Sequence, residues 1–460
     1  MEQNSISLPQ NKMATVPIGK LLFSMSLPLM LSMIMEALYN VVDSLFISRV
    51  SEKALTALSL SFPIQLLVVS ISVGTGVGIN STLSRFLGQK NSKGVNDIAT
   101  NGIFLESLTY ILFLIFGLFF TKKFFASQTS NIEIYELGVD YLSICMIFSF
   151  GSVGQITFQK FLQSTGKTTL SMVSQLVGAI FNIIFDPLLI FGLCGFPKMG
   201  VKGAAIATVI GQIIAMFIAI YFNFSKNKEI HFNFKKFRPA KDMIYEIYKV
   251  GIPAIVMQSL NSLMAFGVNY ILIKLSATAV TAFGIYIKVQ NFIFMPAFGI
   301  NNAVIAITAY NYGARKKERI NSTLKFGILY ASVIMILGML MMQLFPRQIL
   351  DLFDASQDLS NMGVIVMRTI SLSFIFTALT LVWQGFYQAL GNGIYSLVVT
   401  LLRVVVILLP VLYIFSVILP IDKIWIAFIL AEFGSAIVAA FLLRHIYKEK
   451  IAILEDQEVA

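Results

Sequence analysis

The apolar stretch over residues 28–49 carries Glu36, Tyr39, Asn40 and Asp43. Steps of three and four residues place all four on one stripe of a helix. An ionised carboxylate near the middle of a bilayer costs roughly 2.5–3.5 kcal/mol on insertion scales. A helix with two carboxylates on one face is therefore expected to turn that face toward a cavity, a partner or a moving ion. The alternative is a polar stripe that neighbouring helices satisfy without any role in function.

Another carboxylate lies in a later apolar stretch, where Asn182 and Asp186 are one helical turn apart and Pro187 follows. Because proline has no N–H to donate, the carbonyl oxygen of Ile183 is left without its helical partner. An amide, a carboxylate and a spare carbonyl within one turn favour the binding of a proton or a cation. Away from water, Asp186 should favour its protonated form. The alternative is a proline-kinked helix whose aspartate caps a neighbouring backbone group.

The composition indicates that membrane-spanning helices position these residues. Of 460 residues, 57% are hydrophobic and 12% are charged, whereas about a quarter of a soluble protein is charged. Each spanning helix needs about 20 apolar residues. Apolar windows predict twelve of them: residues 21–48, 54–84, 98–121, 134–162, 168–194, 201–223, 243–272, 279–309, 319–345, 362–389, 395–418 and 423–446.

Lys and Arg are distributed unevenly over the segments between the predicted helices. Of the 34, 22 lie on the side of the N-terminus and 9 in the opposite loops. By the positive-inside rule, both termini of this multi-pass protein lie in the cytoplasm. The net charge of +11 then needs no nucleic acid as a partner. The first apolar run is too long for a signal peptide, so we expect it to be retained as a span.

An internal repeat relates the two halves of the chain at an offset of 225 residues. Identical residues meet without a gap over a long distance, among them Pro28 and Pro253, Ser51 and Ser276, Gln65 and Gln290, Gly88 and Gly313, and Gly166 and Gly391. Each half has six spans, an even number, so both halves have the same orientation. The predicted fold is an all-α integral membrane protein with twelve transmembrane helices in two six-helix bundles, related by a pseudo-two-fold axis along the membrane normal.

The repeat sets the predicted domain boundaries. They are a cytoplasmic N-terminal segment (1–17), an N-lobe (18–223), a basic cytoplasmic linker (224–242), a C-lobe (243–447) and a cytoplasmic tail (448–460). The linker is interpreted either as a tether that lets the two bundles rock or as a solvated loop that follows the charge rule.

Several segments of the chain resemble the multidrug and toxic compound extrusion (MATE) transporters, and among them the DinF/MepA-like bacterial branch. The resemblance covers residues 15–447 and includes the two-bundle repeat. The segments that carry it are LYNVVDSLFIS in the first span, FNIIFDPLLI in the fifth, GVKGAAIAT at the start of the sixth, and the pair FLQSTGKT and FYQALGNG at the ends of the fourth and tenth.

The resemblance implies a multidrug efflux antiporter of the bacterial inner membrane that contributes to antibiotic resistance. Export would be driven by inward flow of H⁺ or Na⁺ through a site in the N-lobe. The matching positions of this chain are Tyr39, Asp43, Asn182, Asp186 and Thr208. Gln159 stands where some relatives have an acidic residue, and Glu36 is a candidate to compensate for it. A NorM-like cation site in the C-lobe is not expected, since the seventh span offers only Asn261 and Asn269, and the tenth Arg368.

Residues that can bind substrate are expected to line an adaptable, mostly apolar chamber. Thioethers and aromatic rings accommodate varied cations and flat apolar molecules. The candidates are Met33, Asn40, Gln155, Phe158, Met257, Asn261, Lys288 and Met295. Lys288 lies deep in the eighth span and is interpreted either as a gate that pairs with an acidic group such as Glu36 or as a lysine that reaches a water-filled crevice.

Other functional classes find less support in the sequence. Cys145 and Cys194 lack motif spacing, and no nucleotide-binding, zinc-protease or hydrolase motif occurs in a suitable setting. We therefore expect no enzyme activity, no metal and no cofactor, and a monomer whose partners are organic cations or amphiphiles, H⁺ or Na⁺, and the lipid bilayer. The main alternative is a flippase for a lipid-linked oligosaccharide or another amphiphilic lipid. Three cations against at least four carboxylates within the spans favour a cationic substrate instead; those carboxylates are Glu36, Asp43, Asp186 and Glu432.

Overall fold

The computed structural model describes residues 11–232, 234 and 237–454, and over this part it contains helices and no β-strand. The helices of the first half are α1 (Lys12–Thr15), α2 (Ile18–Ser48), α3 (Glu52–Gly88), α4 (Ser92–Ile115), α5 (Thr121–Gln128), α6 (Ile132–Ile147), α7 (Phe150–Ser164), α8 (Thr168–Phe191) and α9 (Val201–Ser225). Those of the second half are α10 (Lys241–Leu272), α11 (Ala277–Gly313), α12 (Lys317–Leu344), α13 (Pro346–Asp351), α14 (Gln357–Ser371), α15 (Phe374–Ala389), α16 (Gly393–Leu401), α17 (Leu409–Ile418) and α18 (Ile426–Ile446). Short π-helical turns at Phe116–Phe120 and Leu402–Leu408 join α4 to α5 and α16 to α17.

The helices supply the number of membrane spans that the sequence predicts. Within the described residues, 10 helices are long and apolar enough to cross a membrane, or up to 12 if each of two bent pairs counts as one span. Large apolar side chains stay exposed on their outer faces, for example Phe266 at 71% and Phe441 at 70%. Exposure of this extent is expected of surfaces that face lipid.

Two of the predicted spans are not single helices. The fourth consists of α6 and α7, which meet at 42°, and the tenth of α14 and α15, which meet at 48°. The prediction of continuous helices over 134–162 and 362–389 was therefore wrong. At the second break the Ser373 hydroxyl donates to the carbonyl oxygen of Ile370 at 2.7 Å. A hydroxyl that bonds to a carbonyl of the preceding turn bends a helix.

The internal repeat is visible in the local geometry of the two halves. Helices α3 and α11 both have 37 residues. Each begins at a serine whose hydroxyl caps it: Ser51 accepts from the Ala54 N–H at 3.0 Å, and Ser276 accepts from the Ala279 N–H at 3.3 Å. A cap of this kind satisfies a backbone donor that the first helical turn leaves unpaired. The same sequence signal thus starts the second span of each half.

The described residues form two compact units. The first contains the described residues up to Val16 together with Leu31–Tyr248, and the second contains Pro17–Met30 and the described residues from Lys249 onward. Helices α2 and α10 are therefore each divided between the units. The predicted lobes, 18–223 and 243–447, differ from this division because a sequence repeat assigns whole helices.

Each unit has its own hydrophobic core. The core of the first unit is built on α3, α6 and α9 and includes Phe125 and Tyr141. That of the second unit is built on α11, α14 and α18 and includes Phe283, Phe374 and Trp425. The aromatic rings of Phe283 and Trp425 lie 6.1 Å apart, a distance at which aromatic pairs add to the apolar contact.

Several described residues of the linker between α9 and α10 contact other parts of the first unit. Backbone N–H groups of the linker donate to asparagines of α4, and its acidic side chain pairs with the segment before α8. These contacts are His231 N–H to Asn96 at 2.8 Å, Ala240 N–H to Asn101 at 3.0 Å, and an ion pair between Lys167 and Glu229. Both interpretations of the linker, a tether for the two bundles and a solvated loop, stay predictions, and Lys235 and Lys236 lie outside the described part.

Helices α8 and α9 pack through two glycines. A Cβ atom added to Gly178 would lie 2.6 Å from the carbonyl oxygen of Gly211, and one added to Gly211 would lie 2.7 Å from the carbonyl oxygen of Gly178. Small residues let two membrane helices approach closely, so that their packing contributes stability that the apolar effect does not supply in lipid. This close approach fixes the position of the polar residues nearby, Asn182 after Gly178 on α8 and Thr208 before Gly211 on α9.

We predict that Gly178→Val destabilises the protein, because the new side chain must separate α8 from α9. Overpacking of this kind costs about 1–3 kcal/mol or more. The measurement is the midpoint of thermal unfolding of the purified protein in detergent, which should fall.

The matched control is Gly284→Ala, since a Cβ atom at Gly284 would meet no described atom within 4 Å. Alanine is the better helix former by roughly 0.5–1 kcal/mol, so this variant should unfold at or above the wild-type midpoint. Equal midpoints for Gly178→Val and wild type would contradict the packing.

Candidate functional site

The amide and carboxylate predicted on the fifth span lie together on α8. The Asn182 amide donates to Asp186 Oδ1 at 3.4 Å and also lies 3.4 Å from the Thr208 hydroxyl of α9. Asp186 is 0% exposed and Asn182 is 3% exposed. Pro187 is within the helix, so the carbonyl oxygen of Ile183 lacks its usual donor. The structure thus brings an amide, a hydroxyl, a carboxylate and a freed carbonyl into one polar cluster.

Asp43 of α2 belongs to the same cluster. It is 7% exposed, and its carboxylate interacts electrostatically with that of Asp186. It also faces Tyr141 and Cys145 of α6. One oxygen of each carboxylate, Oδ1 of Asp43 and Oδ2 of Asp186, has no hydrogen-bond partner among the described residues. Two acidic groups with open oxygen atoms therefore share one buried environment.

A small cavity lies beside this cluster. It has about 260 Å³ of empty space, and its walls come from α2, α7, α8 and α9. The lining residues are Tyr39, Gln155, Gln175, Gly178, Ala179, Asn182, Thr208, Gly211 and Gln212. Only about 20 Å³ of this space can hold the centre of a water molecule, and a cavity needs about 10–15 Å³ by this measure to hold one water. The cavity therefore suits a water molecule or an ion and is too small for a drug-sized molecule.

A ladder of amide side chains connects α7 with α8. Gln175 accepts hydrogen bonds from Gln155 and from Gln159, the latter at 3.0 Å. The Gln159 amide also lies 3.2 Å from the hydroxyl of Ser174. Gln159 therefore reaches the cavity only through Gln175, while Gln155, which was predicted to bind substrate, lines the cavity itself.

Glu36 faces a cation of the same unit. The carboxylate of Glu36 and the ammonium group of Lys160 on α7 interact electrostatically. The stem of Lys160 packs against Gly76 of α3. Tyr39 lies between the two acidic groups of α2 and interacts with both Glu36 and Asp43. The structure thus supplies Lys160 as an electrostatic partner of Glu36.

The remaining predicted residues have contacts of their own within each unit. In the first unit, Met33 is half-buried and Asn40 is exposed, with its amide donating to the Glu36 carbonyl at 2.8 Å. Phe158 packs against Phe161 and Phe232, with ring centroids 5.7 and 6.1 Å away. In the second unit, Met257 accepts a weak hydrogen bond from Gln388 at 3.9 Å, Met295 is half-buried, and Asn261 and Lys288 are exposed. All of them stay predictions as substrate contacts.

The family model called MatE matches the chain twice, over residues 28–188 and again over residues 253–414. The chain belongs to the MatE family. The two matches begin at residues 28 and 253, which is the predicted offset, and so they confirm the internal repeat. This MatE protein is a transporter and not an enzyme.

Relatives and solved structures agree with this assignment. The chain is 27% identical over 428 residues to the multidrug export protein MepA of Staphylococcus haemolyticus strain JCSC1435, with 93% of both chains covered. It matches the outward-facing conformation of a multidrug resistance MATE family transporter of the MOP superfamily with a TM-score of 0.90 at 23% identity, covering 96% of this chain and 98% of that chain. A MOP superfamily transporter from Pyrococcus furiosus matches with a TM-score of 0.89 at 24% identity, covering 97% and 98%. These structures confirm the predicted fold.

Three residues of this MatE site escaped the sequence prediction: Gln175, Tyr141 and Lys160 as the partner of Glu36. Gln175 could have been predicted from the sequence, because it stands seven residues before Asn182 and eleven before Asp186 and so shares their helical face. No pattern in the sequence predicts Tyr141. Its hydroxyl accepts a hydrogen bond from Gln65 of α3, a distant helix in sequence, at 3.3 Å. Contacts between distant helices of this kind have no pattern in the sequence.

We predict that Gln175→Leu destabilises the protein, because two buried amides of α7 lose their acceptor. A buried donor left without a partner costs about 1–3 kcal/mol. The midpoint of thermal unfolding in detergent should fall relative to Gln212→Leu, which changes a glutamine of α9 on the same cavity wall. If both variants unfold at the same temperature, the amide ladder does not stabilise this site.

Proposed function

We propose that this MatE protein is a secondary active antiporter that exports cationic or amphiphilic organic compounds in exchange for H⁺, or for Na⁺, by alternating access. The names of its curated relatives, multidrug export protein MepA, support the efflux part of this proposal. The positive-inside count supports insertion in a bacterial cytoplasmic membrane with both termini inside the cell. Monomeric function is part of the proposal.

The observation that carries the proposal is the buried pair Asp43 and Asp186. Two carboxylates that interact away from water are not both ionised unless a cation lies with them. The pair therefore holds a proton or a metal cation in one state of the cycle. An arriving cationic cargo, or a change in access to water, releases it. Competition for one set of acidic groups couples export to ion entry.

The neighbouring residues have supporting roles in this scheme. The Asn182 amide contacts both the Asp186 carboxylate and the Thr208 hydroxyl at 3.4 Å, and so links the two. Tyr39 lines the cavity and faces Asp43. The charge near the cavity is set by Glu36 and its partner Lys160. The polarity of the cavity wall is set by Gln175, which Gln159 holds in place. The other predicted residues stay part of the proposal as contacts for the cargo, each on its own unit: Met33, Asn40, Gln155 and Phe158 on the first, and Met257, Asn261, Lys288 and Met295 on the second.

The free energy available to such an exchange is sufficient for drug resistance. A membrane potential of about 100 mV supplies roughly 2.3 kcal/mol per inward charge. A tenfold concentration gradient needs about 1.4 kcal/mol. One inward charge therefore supports a cargo gradient of about 40-fold, before the charge of the cargo is counted.

We predict that Asp186→Asn and Asp43→Asn each abolish ion-driven transport, since an amide cannot bind and release a proton at this position. The assay uses purified protein in liposomes, with tetraphenylphosphonium as cargo and with pH and sodium gradients imposed separately. Transport by each variant should fall to the level of protein-free liposomes. The gradient that drives the wild-type protein identifies the coupling ion.

The matched control is Asp140→Asn, which removes a carboxylate of α6 that pairs with Lys202 at 3.1 Å on an exposed surface. A surface pair of this kind contributes about 0–1 kcal/mol, so this variant should transport normally. Wild-type rates in Asp186→Asn would refute the role of the acidic pair. Wild-type transport without either gradient would refute antiport.

A further inference from the structure

Glu106 is a buried carboxylate that the proposed antiport does not use. It lies on α4, within the candidate span Ser92–Gln128, and is 2% exposed. Neither of its carboxylate oxygens has a hydrogen-bond partner among the described residues. A buried acidic group with two open oxygens is rare in a folded protein, because leaving such a group unsatisfied is costly.

Two hydroxyl groups of α3 are also open at this place. Ser72 and Thr75 are both 0% exposed, and neither hydroxyl has a partner at full hydrogen-bond geometry in the part of the chain that is described. The Ser72 hydroxyl faces Glu106, and the Thr75 hydroxyl faces the phenol of Tyr248 on α10. Elsewhere on α3 such hydroxyls bond to the carbonyl one turn earlier, as Thr56 does to Glu52 at 3.0 Å and Ser61 to Ala57 at 2.9 Å. Ser72 and Thr75 forgo this local bond. Their hydroxyls are available to Glu106 and to whatever binds there.

The charges around Glu106 leave it without a cationic partner on the packed helices. From α10, the phenol of Tyr248 interacts with both Thr75 and Glu106. From α7, Lys160 packs its stem on Gly76 and interacts with Glu36. The charged residues of α4 itself, Lys93 and Asp97, lie about two and a half turns or more away. The carboxylates of α6 that form ion pairs do so with other residues, Glu133 with Lys53 and Asp140 with Lys202.

An ionised carboxylate in this setting would be desolvated without compensation, whereas its protonated form is neutral. The protonated carboxyl can donate one hydrogen bond and accept another, and the hydroxyl groups that face it are those of Ser72 and Tyr248. Asp43 and Asp186 interact with each other, while Glu106 faces Ser72 and Tyr248. The two acidic sites are therefore separate groups of the same unit.

The first turns of α10 pack against the last turns of α3, next to Glu106. The Glu246 side chain forms an ion pair with Arg85, and the Thr82 hydroxyl donates to the Glu246 carbonyl oxygen at 3.3 Å. Tyr248 follows within one turn and is the last residue of the first unit. Movement of this end of α10 away from α3 would admit water to Glu106.

We propose that Glu106, Ser72 and Thr75 form a second proton-binding site in the first unit, which the start of α10 closes. Glu106 takes up the proton from water, and returns it to water, when the site is open; the proton stays on a carboxylate oxygen of Glu106 while the site is closed. The part of this proton in transport rests on the proposed antiport, but its binding to Glu106 does not.

Binding is tested by infrared spectroscopy on the purified full-length protein without cargo, because the carbonyl stretch of a protonated carboxylic acid is separate from the bands of a carboxylate. At neutral pH we expect a protonated carboxyl band that is lost in part in Glu106→Gln and persists in Asp186→Asn. In Ser72→Ala the band should shift, because the carbonyl loses a hydrogen-bond partner.

The control is Glu52→Gln, an exposed residue at the start of α3, which should leave the band unchanged. Identical spectra of wild type and Glu106→Gln, or of wild type and Ser72→Ala, would overturn the site. Loss of the band on adding sodium at constant pH would overturn the assignment to a proton.

The role in transport is tested in liposomes, by the number of protons taken up per tetraphenylphosphonium ion exported under a pH gradient. Glu106→Gln should lower this ratio, and an unchanged ratio would overturn the role of Glu106 in transport. If the wild-type protein shows no proton-driven export, the antiport proposal fails, and the infrared band still decides whether Glu106 binds a proton.

Discussion

The cost of burying an ionised carboxylate in an apolar environment is the constraint on which this structure depends. Asp43 and Asp186 are 7% and 0% exposed, and the polar side chains of α2, α6, α8 and α9 are arranged around them. A soluble protein can satisfy such groups with water, but a membrane helix must find partners on its neighbours. Incomplete satisfaction, seen in the open oxygens of both aspartates, leaves room for an ion that enters and leaves.

The packing of small residues makes this arrangement possible. Gly178 and Gly211 let α8 and α9 approach so closely that neither position has room for a Cβ atom. The same two glycines line the cavity. Asn182 and Thr208 therefore reach each other across the two helices within 3.4 Å. The same few positions serve the close packing and the proposed ion binding, so that a change in one is expected to disturb the other.

Much of the fold was predictable from local signals. The structure retains the serines that begin α3 and α11 and Pro187 beside Asp186, which act within a turn or two of the helix. It also retains the repeat that the offset of 225 residues predicts. The breaks within the fourth and tenth spans, the interaction of Lys160 with Glu36 and the isolation of Glu106 depend on contacts between helices far apart in sequence. Apolar periodicity gives no information about such contacts. The division of α2 at residue 30 likewise arises from tertiary packing.

The central claim is that a proton and a cationic cargo compete for the acidic pair. Calorimetric titration of tetraphenylphosphonium into the purified protein, repeated in buffers with different ionisation enthalpies, counts the protons released on binding. If the two compete, the wild-type protein releases protons on binding, and the variant in which Asp43 and Asp186 are both replaced by Asn releases none. Binding of the cation by the wild-type protein without proton release, at an affinity independent of pH and of sodium, would contradict it.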